Sequence, residues 1–487
     1  MRSLRSTRAP VAANRDRMAP TVVGGTPRVW AERSGKFVVT AMIWALVLVM
    51  VAPNGLDHGV GKAMVTAANP VSRTVWLAIL GVAAALLIWR SSRTIKLIAA
   101  LNPYLIAMLG LAAASYFWSI APDFTIVRVI RFMTIVMTGM CLALFGWTPG
   151  RFAQLMRSTL TFVCVASILM VWLDPVDGIN HAANPALKDS WNGITFGKNV
   201  LGSLAVSTIV VWLHGILTKE SRLIVGLGGL CAGIVCLIGS RSSTSIMAAV
   251  FASLFLLLLV KPPGTLKRSM PYLVGTFAAI ILVYALAVLH LVPYLGTLLV
   301  PIEALTGKDL TFSGRINIWM ILTDQIRQNP LFGLGYGAYW TGAMPGSPSY
   351  AMLQRLWFYP NEGHNGYLDV INELGAVGGV VMFGYFIRYI RDALTLMRSQ
   401  RQLAALYLTF IFRGFIADMS ESHWFSALTP DFVIITLATC ALARSLLQMR
   451  LERVAAPRVG EARAPSVVAS PRQMAMSGER RVPRMRR

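Results

Sequence analysis

Long apolar runs separated by short polar connectors set the plan of this chain. Runs of about 16–22 residues recur, matching the ~20 residues a helix needs to cross a bilayer core. They predict twelve membrane helices, near 37–52, 74–89, 103–118, 125–146, 155–173, 199–217, 223–239, 244–260, 272–290, 367–387, 403–419 and 430–447. One stretch breaks the rhythm. Between the ninth and tenth runs, residues 291–366 are more polar and punctuated by glycine. The expected fold is an all-α polytopic membrane protein of about 12 transmembrane helices, with one large periplasmic loop between helices 9 and 10. The chain divides into a basic cytoplasmic tail (1–36), helices 1–9 (37–290) and the loop with an amphipathic helix (291–366). Helices 10–12 (367–447) and a basic, disordered cytoplasmic tail (448–487) follow.

Composition agrees with this pattern. Of 487 residues, 55% are hydrophobic and 14% charged, too apolar for a soluble globular protein. The net charge of +24 is uneven: eight Lys/Arg precede residue 37, and eleven Arg lie from Arg444 onward. Cytoplasmic connectors of membrane proteins carry excess Lys and Arg. Here the basic connectors hold Arg90, Arg93 and Lys96; Arg151; Lys219 and Arg222; Lys261, Lys267 and Arg268; and Arg388, Arg391, Arg398 and Arg401. All fall on one side of a twelve-helix count, together with both tails. That orients both termini to the cytoplasm and puts 291–366 and 174–199 outside. The tails suit anionic membrane lipids. No aromatic-interleaved basic module points to nucleic acid. The polar, basic first 36 residues do not read as a cleavable signal peptide. Cys141, Cys164, Cys231, Cys236 and Cys440 lie in apolar runs without metal-ligand spacing and read as packing residues. Gly229/Gly233 and Gly375/Gly379 have the spacing of close helix contacts.

Inside the loop, Ser313 predicts the cap of an amphipathic helix over 314–328. Ile316, Trp319, Met320 and Ile326 share one face, suited to a lipid surface. Asn329-Pro330 ends that helix, because the residue before proline avoids helical geometry. A cation near the bilayer centre costs at least ~2.5–3.5 kcal/mol, so each outer-face cation needs a reason. Arg241 follows the seventh helix. Arg128 and Arg131, i and i+3, lie on one side of the fourth. Arg315 lies near the start of the loop helix, where the helix dipole disfavours a cation unless an anion is shared there. Lys198 precedes the sixth helix. Singly, each is equally well a snorkelling side chain. Together they suggest a site for a lipid-linked phosphate or pyrophosphate, which the guanidinium fork suits. Arg413 is expected to pair internally with Asp418 or Glu421. His364 lies between Glu362 and the tenth helix, at the membrane interface, and its ordinary pKa near 6.5 suits a general base. His423 is a second outer-face histidine. No HxxxH, DxD or carboxylate cluster occurs in the outer loops, so the expected chemistry uses no metal and no cofactor.

These stretches, in order, resemble the O-antigen ligase/polymerase superfamily of O-antigen ligases, Wzy-type and ExoQ-like polysaccharide polymerases and protein O-oligosaccharyltransferases. The resemblance rests on Tyr116-Phe117-Trp118-Ser119-Ile120-Ala121-Pro122-Asp123 with Arg128 and Arg131, on Gly197-Lys198-Asn199 and on Ser240-Arg241-Ser242. It continues through Ser313-Gly314-Arg315, Trp319 and Asn329-Pro330-Leu331-Phe332-Gly333-Leu334-Gly335-Tyr336-Gly337. It closes on His364-Asn365, nine residues, then Gly375-Ala376-Val377-Gly378. The resemblance implies a glycosyltransferase of the bacterial inner membrane acting on an undecaprenyl-pyrophosphate-linked glycan donor at the periplasmic face. His364 would deprotonate the acceptor hydroxyl. Arg241 and Arg315 would hold the pyrophosphate, with Lys198, Arg128, Arg131, Asn365 and Tyr336 as further substrate contacts. The acceptor would be another glycan or lipid-linked group, and other polysaccharide assembly proteins would be partners. An ExoQ-like exopolysaccharide polymerase leads. The alternatives are a ligase transferring glycan to lipid A core and a protein O-oligosaccharyltransferase. A transporter fits less well, since no internal repeat is evident.

Overall fold

The structure is a computed structural model. It describes residues 27–52, 70–181, 187–261 and 313–455. Among these, regular structure is helical, apart from one isolated antiparallel bridge between Ile179 and Trp191. Helices are what apolar sequence must form in a bilayer, where every backbone polar group needs an internal partner. In chain order they are α1 (Pro27–Val51), α2 (Pro70–Trp89), α3 (Ser91–Ile98), α4 (Pro103–Ala114), α5 (Pro122–Leu144), α6 (Arg151–Leu173), α7 (Pro175–Gly178) and α8 (Lys198–Leu217). Then follow α9 (Leu223–Ser240), α10 (Ser243–Val260), α11 (Ser313–Gln328), α12 (Tyr350–Leu356), α13 (Gly366–Met397), α14 (Arg401–Ala417) and α15 (Pro430–Ala455).

Among the described residues, nine helices are long and apolar enough to cross a membrane, or ten if α3 and α4, bent by 99°, form one span. The run expected at 272–290 lies outside the described residues. The expected eleventh span is α14, which has only 17 residues and carries Arg413. It is buried along most of its length, so neighbouring helices rather than lipid surround it. Helix α1 starts inside the stretch read as the N-terminal tail, and α15 continues past Leu447 into the stretch read as the C-terminal one. All five cysteines are free, and four are buried. Gly229 faces the Trp212 ring, so α8 and α9 approach as the small-residue spacing predicts.

Two expectations about the loop are corrected. The buried stripe of α11 is Ile318, Trp319, Ile321 and Leu322, while Met320 is exposed. That stripe covers Leu334, Tyr339, Trp340 and Met352 of the same chain rather than lipid. Fully burying a side chain such as Leu322 stabilises by about 1.5–3 kcal/mol, so this cluster anchors the loop. Gly375 is also not a packing glycine. It breaks α13, with φ 65° and ψ −166°. The break frees backbone groups that the glycine-rich loop then satisfies. Leu334 and Gly335 amides donate to the Asn372 and Glu373 carbonyls at 3.1 and 2.9 Å. Ala376 and Val377 amides donate back to the Pro330 and Leu331 carbonyls at 2.8 and 3.2 Å. The loop is thereby stitched into the helix whose first turn follows His364.

Candidate functional site

The starts of α8, α10 and α13 and the ends of α9 and α14 gather at one end of the bundle. Asn199 of α8 reaches Glu421 beyond α14, and the Gly366 amide that opens α13 donates to the Asp418 and Glu421 carbonyls, both at 3.0 Å. The Trp191 amide donates to Gly239 at the end of α9. His364 sits in this polar end, in the turn that leads into α13. Its φ is 49°, a left-handed conformation uncommon for a residue with a Cβ. Neighbours hold it there. The Gly363 amide donates to Asp369 Oδ2 at 2.9 Å, and Trp319 Nε1 donates to the Gly363 carbonyl at 2.9 Å. After His364, the Asn365 side chain caps α13 by accepting from the Tyr367 and Leu368 amides, both at 3.1 Å.

The imidazole faces two carboxylates. Nδ1 lies 3.0 Å from Glu362 Oε1 and 3.6 Å from Glu421 Oε2. The other Glu421 oxygen accepts from Arg315 Nη2 at 3.1 Å and from Asn199 Nδ2 at 2.6 Å. Burial alone lowers the pKa of His364, but hydrogen bonding and the charges of Glu362 and Glu421 outweigh it and raise it to about 9. Burial pushes Glu362 up. For Glu421 burial acts the same way, but His364 and Arg315 outweigh it and hold this carboxylate low. Glu362, His364 and Glu421 place ligand atoms within 4.8 Å of one another, a grouping that no spacing in the sequence reveals. Arg315 and Asn199 already take one Glu421 oxygen. The other Glu421 oxygen faces His364, so the three side chains form a carboxylate–imidazole cluster with Arg315 at its edge.

The other expected site residues divide. Arg315 is in the cluster. Lys198 opens α8, one residue before Asn199, and is half-buried. Arg241 ends α9 in a left-handed conformation, with a mostly exposed side chain 3.7 Å from Asp189 Oδ2. Next to it, Thr244 and Ser245 of α10 line a cavity together with Asn199, Glu421 and His423. Arg128 and Arg131 have different surroundings despite their shared side. Arg128 Nη2 donates to the Trp340 carbonyl at 2.9 Å, while Arg131 stacks over Trp76 of α2. Tyr336 is buried; its hydroxyl donates to the Phe425 carbonyl at 2.5 Å and ties the loop to the bundle. Asn365 is used as a cap. Arg413 is paired as expected but with Asp431, not Asp418 or Glu421, and it also reaches Ser203. His423 is buried 3.5 Å from Asp431.

Glu421 and Asn199, together with Glu362 beside His364, are the members of the cluster that sequence reasoning did not assign to the site. A carboxylate in a short external connector, two positions before His423, was the available signal for the first. The Lys198-Asn199 pair was the signal for the second.

Comparison with known proteins bears on this geometry. Residues 227–383 match the family model described as O-Antigen ligase. That region runs from α9 into α13 and contains Arg241, Arg315, Glu362 and His364, but not Glu421. The chain is also 27% identical over 226 residues to the exopolysaccharide production protein ExoQ of Rhizobium meliloti (strain 1021). The match covers 43% of this chain and 46% of that relative, so it spans less than half of the relative's length. Both matches fall in the group that the ordered motifs resemble, the O-antigen ligase/ExoQ-like superfamily.

Proposed function

We propose that this chain is a metal-independent glycosyltransferase of the periplasmic face of the bacterial inner membrane, with both termini cytoplasmic. It polymerises undecaprenyl-pyrophosphate-linked oligosaccharide repeat units in exopolysaccharide biosynthesis. The observation that carries this reading is the single carboxylate, Glu421, shared between a histidine and an arginine at one end of a membrane bundle. His364 supplies a base, and Arg315 supplies a charge for a leaving pyrophosphate. The neutral imidazole takes the acceptor hydroxyl proton as that oxygen bonds to the anomeric carbon. The bond from that carbon to pyrophosphate breaks, and its electron pair leaves on the phosphate oxygen. Arg315, with Lys198 and the more exposed Arg241, stabilises that charge. Attack opposite the leaving group inverts the anomeric centre.

Only neutral imidazole can accept a proton. With the pKa of His364 held near 9, the neutral fraction rises with pH below that value. The transfer rate of purified protein is expected to climb with pH toward about 9. In Glu362→Gln the limb moves toward neutrality, because one of the groups that raise the pKa is gone. A pH-independent rate over this range in the wild type would remove His364 as the base.

Ligation to lipid A core is the second reading, favoured by the description of the family model. Deleting the gene separates the two. Loss of long polymer, with single repeat units left on the lipid carrier, supports the polymerase. Full-length polymer left on the carrier supports the ligase. Normal surface glycan sinks both.

A further inference from the structure

Resting on that reading, we infer that Glu421 is a positioning residue that couples proton capture by His364 to departure of the pyrophosphate held by Arg315. Glu421 lies between α14 and α15, is 8% exposed and is held at both ends. Its amide donates to the Ala417 carbonyl, and its carbonyl accepts the Gly366 amide, each at 3.0 Å. The next residue, Ser422, accepts the Asn365 amide at 3.2 Å. The backbone of Glu421 is therefore fixed to the turn that carries His364. Asn199 holds its carboxylate at 2.6 Å from a third element and carries no charge.

The two charged contacts are unequal. Arg315 makes a hydrogen bond at 3.1 Å, whereas His364 Nδ1 at 3.6 Å lies beyond a good one. A buried carboxylate needs a cationic partner. While His364 is neutral, that partner is Arg315, and the arginine's charge is partly spent on Glu421. When His364 takes the acceptor proton, the imidazolium becomes a partner for Glu421. The charge of Arg315 is then released toward the leaving pyrophosphate as negative charge develops there. The proton travels from the acceptor oxygen to His364, and the electron pair of the broken bond stays on the pyrophosphate. Glu421 touches neither substrate. Glu362 also faces His364, and it keeps the imidazole basic whether or not donor is bound.

This makes an unusual kinetic signature. Glu421→Gln keeps the shape but removes the charge, so Arg315 no longer balances the Glu421 carboxylate before the reaction begins. The expected result is a kcat about 10²-fold lower together with a several-fold tighter Kd for undecaprenyl pyrophosphate. Full-length protein in nanodiscs is used for that affinity, and lipid-linked glycan extracted from the deletion strain for the rate. A residue that merely supports the fold gives weaker or unchanged donor affinity when removed, and either outcome overturns the coupling. Glu421→Asp serves if the glutamine variant does not fold. It keeps the charge but cannot span both contacts, so its donor affinity should stay near wild type while kcat falls; unchanged kcat overturns the coupling. The parent reading fails separately: Arg315→Ala leaving donor affinity unchanged, or His364→Ala leaving kcat unchanged, rejects the assigned roles themselves.

Discussion

His364→Ala is expected to lower the glycan transfer rate by about 10²–10⁴-fold, the usual contribution of a positioned general base. Donor affinity should change little, because Arg315, Arg241 and Lys198 remain. The magnitude follows from how firmly this side chain is held. Its left-handed backbone is fixed on one side by Gly363, bonded to Asp369 and Trp319, and on the other by the Asn365 cap. Its Nδ1 faces Glu362 and Glu421, which leaves Nε2 as the atom for an acceptor. No neighbouring group reproduces this position. Glu421 is occupied by Arg315 and Asn199, and His423 is buried beside Asp431. The check is a single-turnover rate with extracted lipid-linked glycan, beside donor binding by the same preparation. Surface polymer at wild-type levels in cells carrying only this variant would discard the assignment.

Gly375→Ala is expected to have the largest effect on stability of any single methyl group added to the site region. The backbone there, φ 65° and ψ −166°, belongs to a region open essentially to glycine, and other residues pay about 1–3 kcal/mol to enter it. Space is a second obstacle, since a Cβ would overlap the Leu331 carbonyl and the Phe332 amide. These are backbone atoms that cannot swing aside. To accommodate the methyl, the loop must retreat from α13 and give up the four bonds between 330–335 and 372–377. At about 1 kcal/mol each, these add to the conformational cost. The expected result is a clearly lower thermal midpoint in detergent, with faster protease cleavage in 329–340. The base should also be displaced, because α13 begins directly after the His364 turn. Wild-type melting and cleavage would mean that the loop does not depend on the break.

The sequence by itself determined the parts of this protein that depend on local composition. A span is legible because bilayer thickness imposes a length and an apolar content on consecutive residues. The expected spans that fall in the described residues are helical, although α4, with 12 residues, and α14, with 17, are shorter than a typical crossing helix and α1 and α15 extend beyond their apolar runs. His364 could be singled out because a titratable residue beside a membrane run needs a purpose, and Arg315 because the start of a helix disfavours a cation. The tertiary structure decided which of the singled-out residues meet. Glu421 joins Arg315 across 106 positions and Asn199 across 222, and no period in a chain encodes such a pair. Arg128 and Arg131 share a helical side but have different neighbours, because the Gly337–Trp340 turn covers one and α2 the other. Tyr336 and Asn365 sit in motif positions, but their polar groups are already used to tie the loop and cap α13. The break at Gly375 was visible only as a small residue at a packing interval. A helix opens there because a distant loop supplies the backbone partners, and that exchange exists only once the chain has folded.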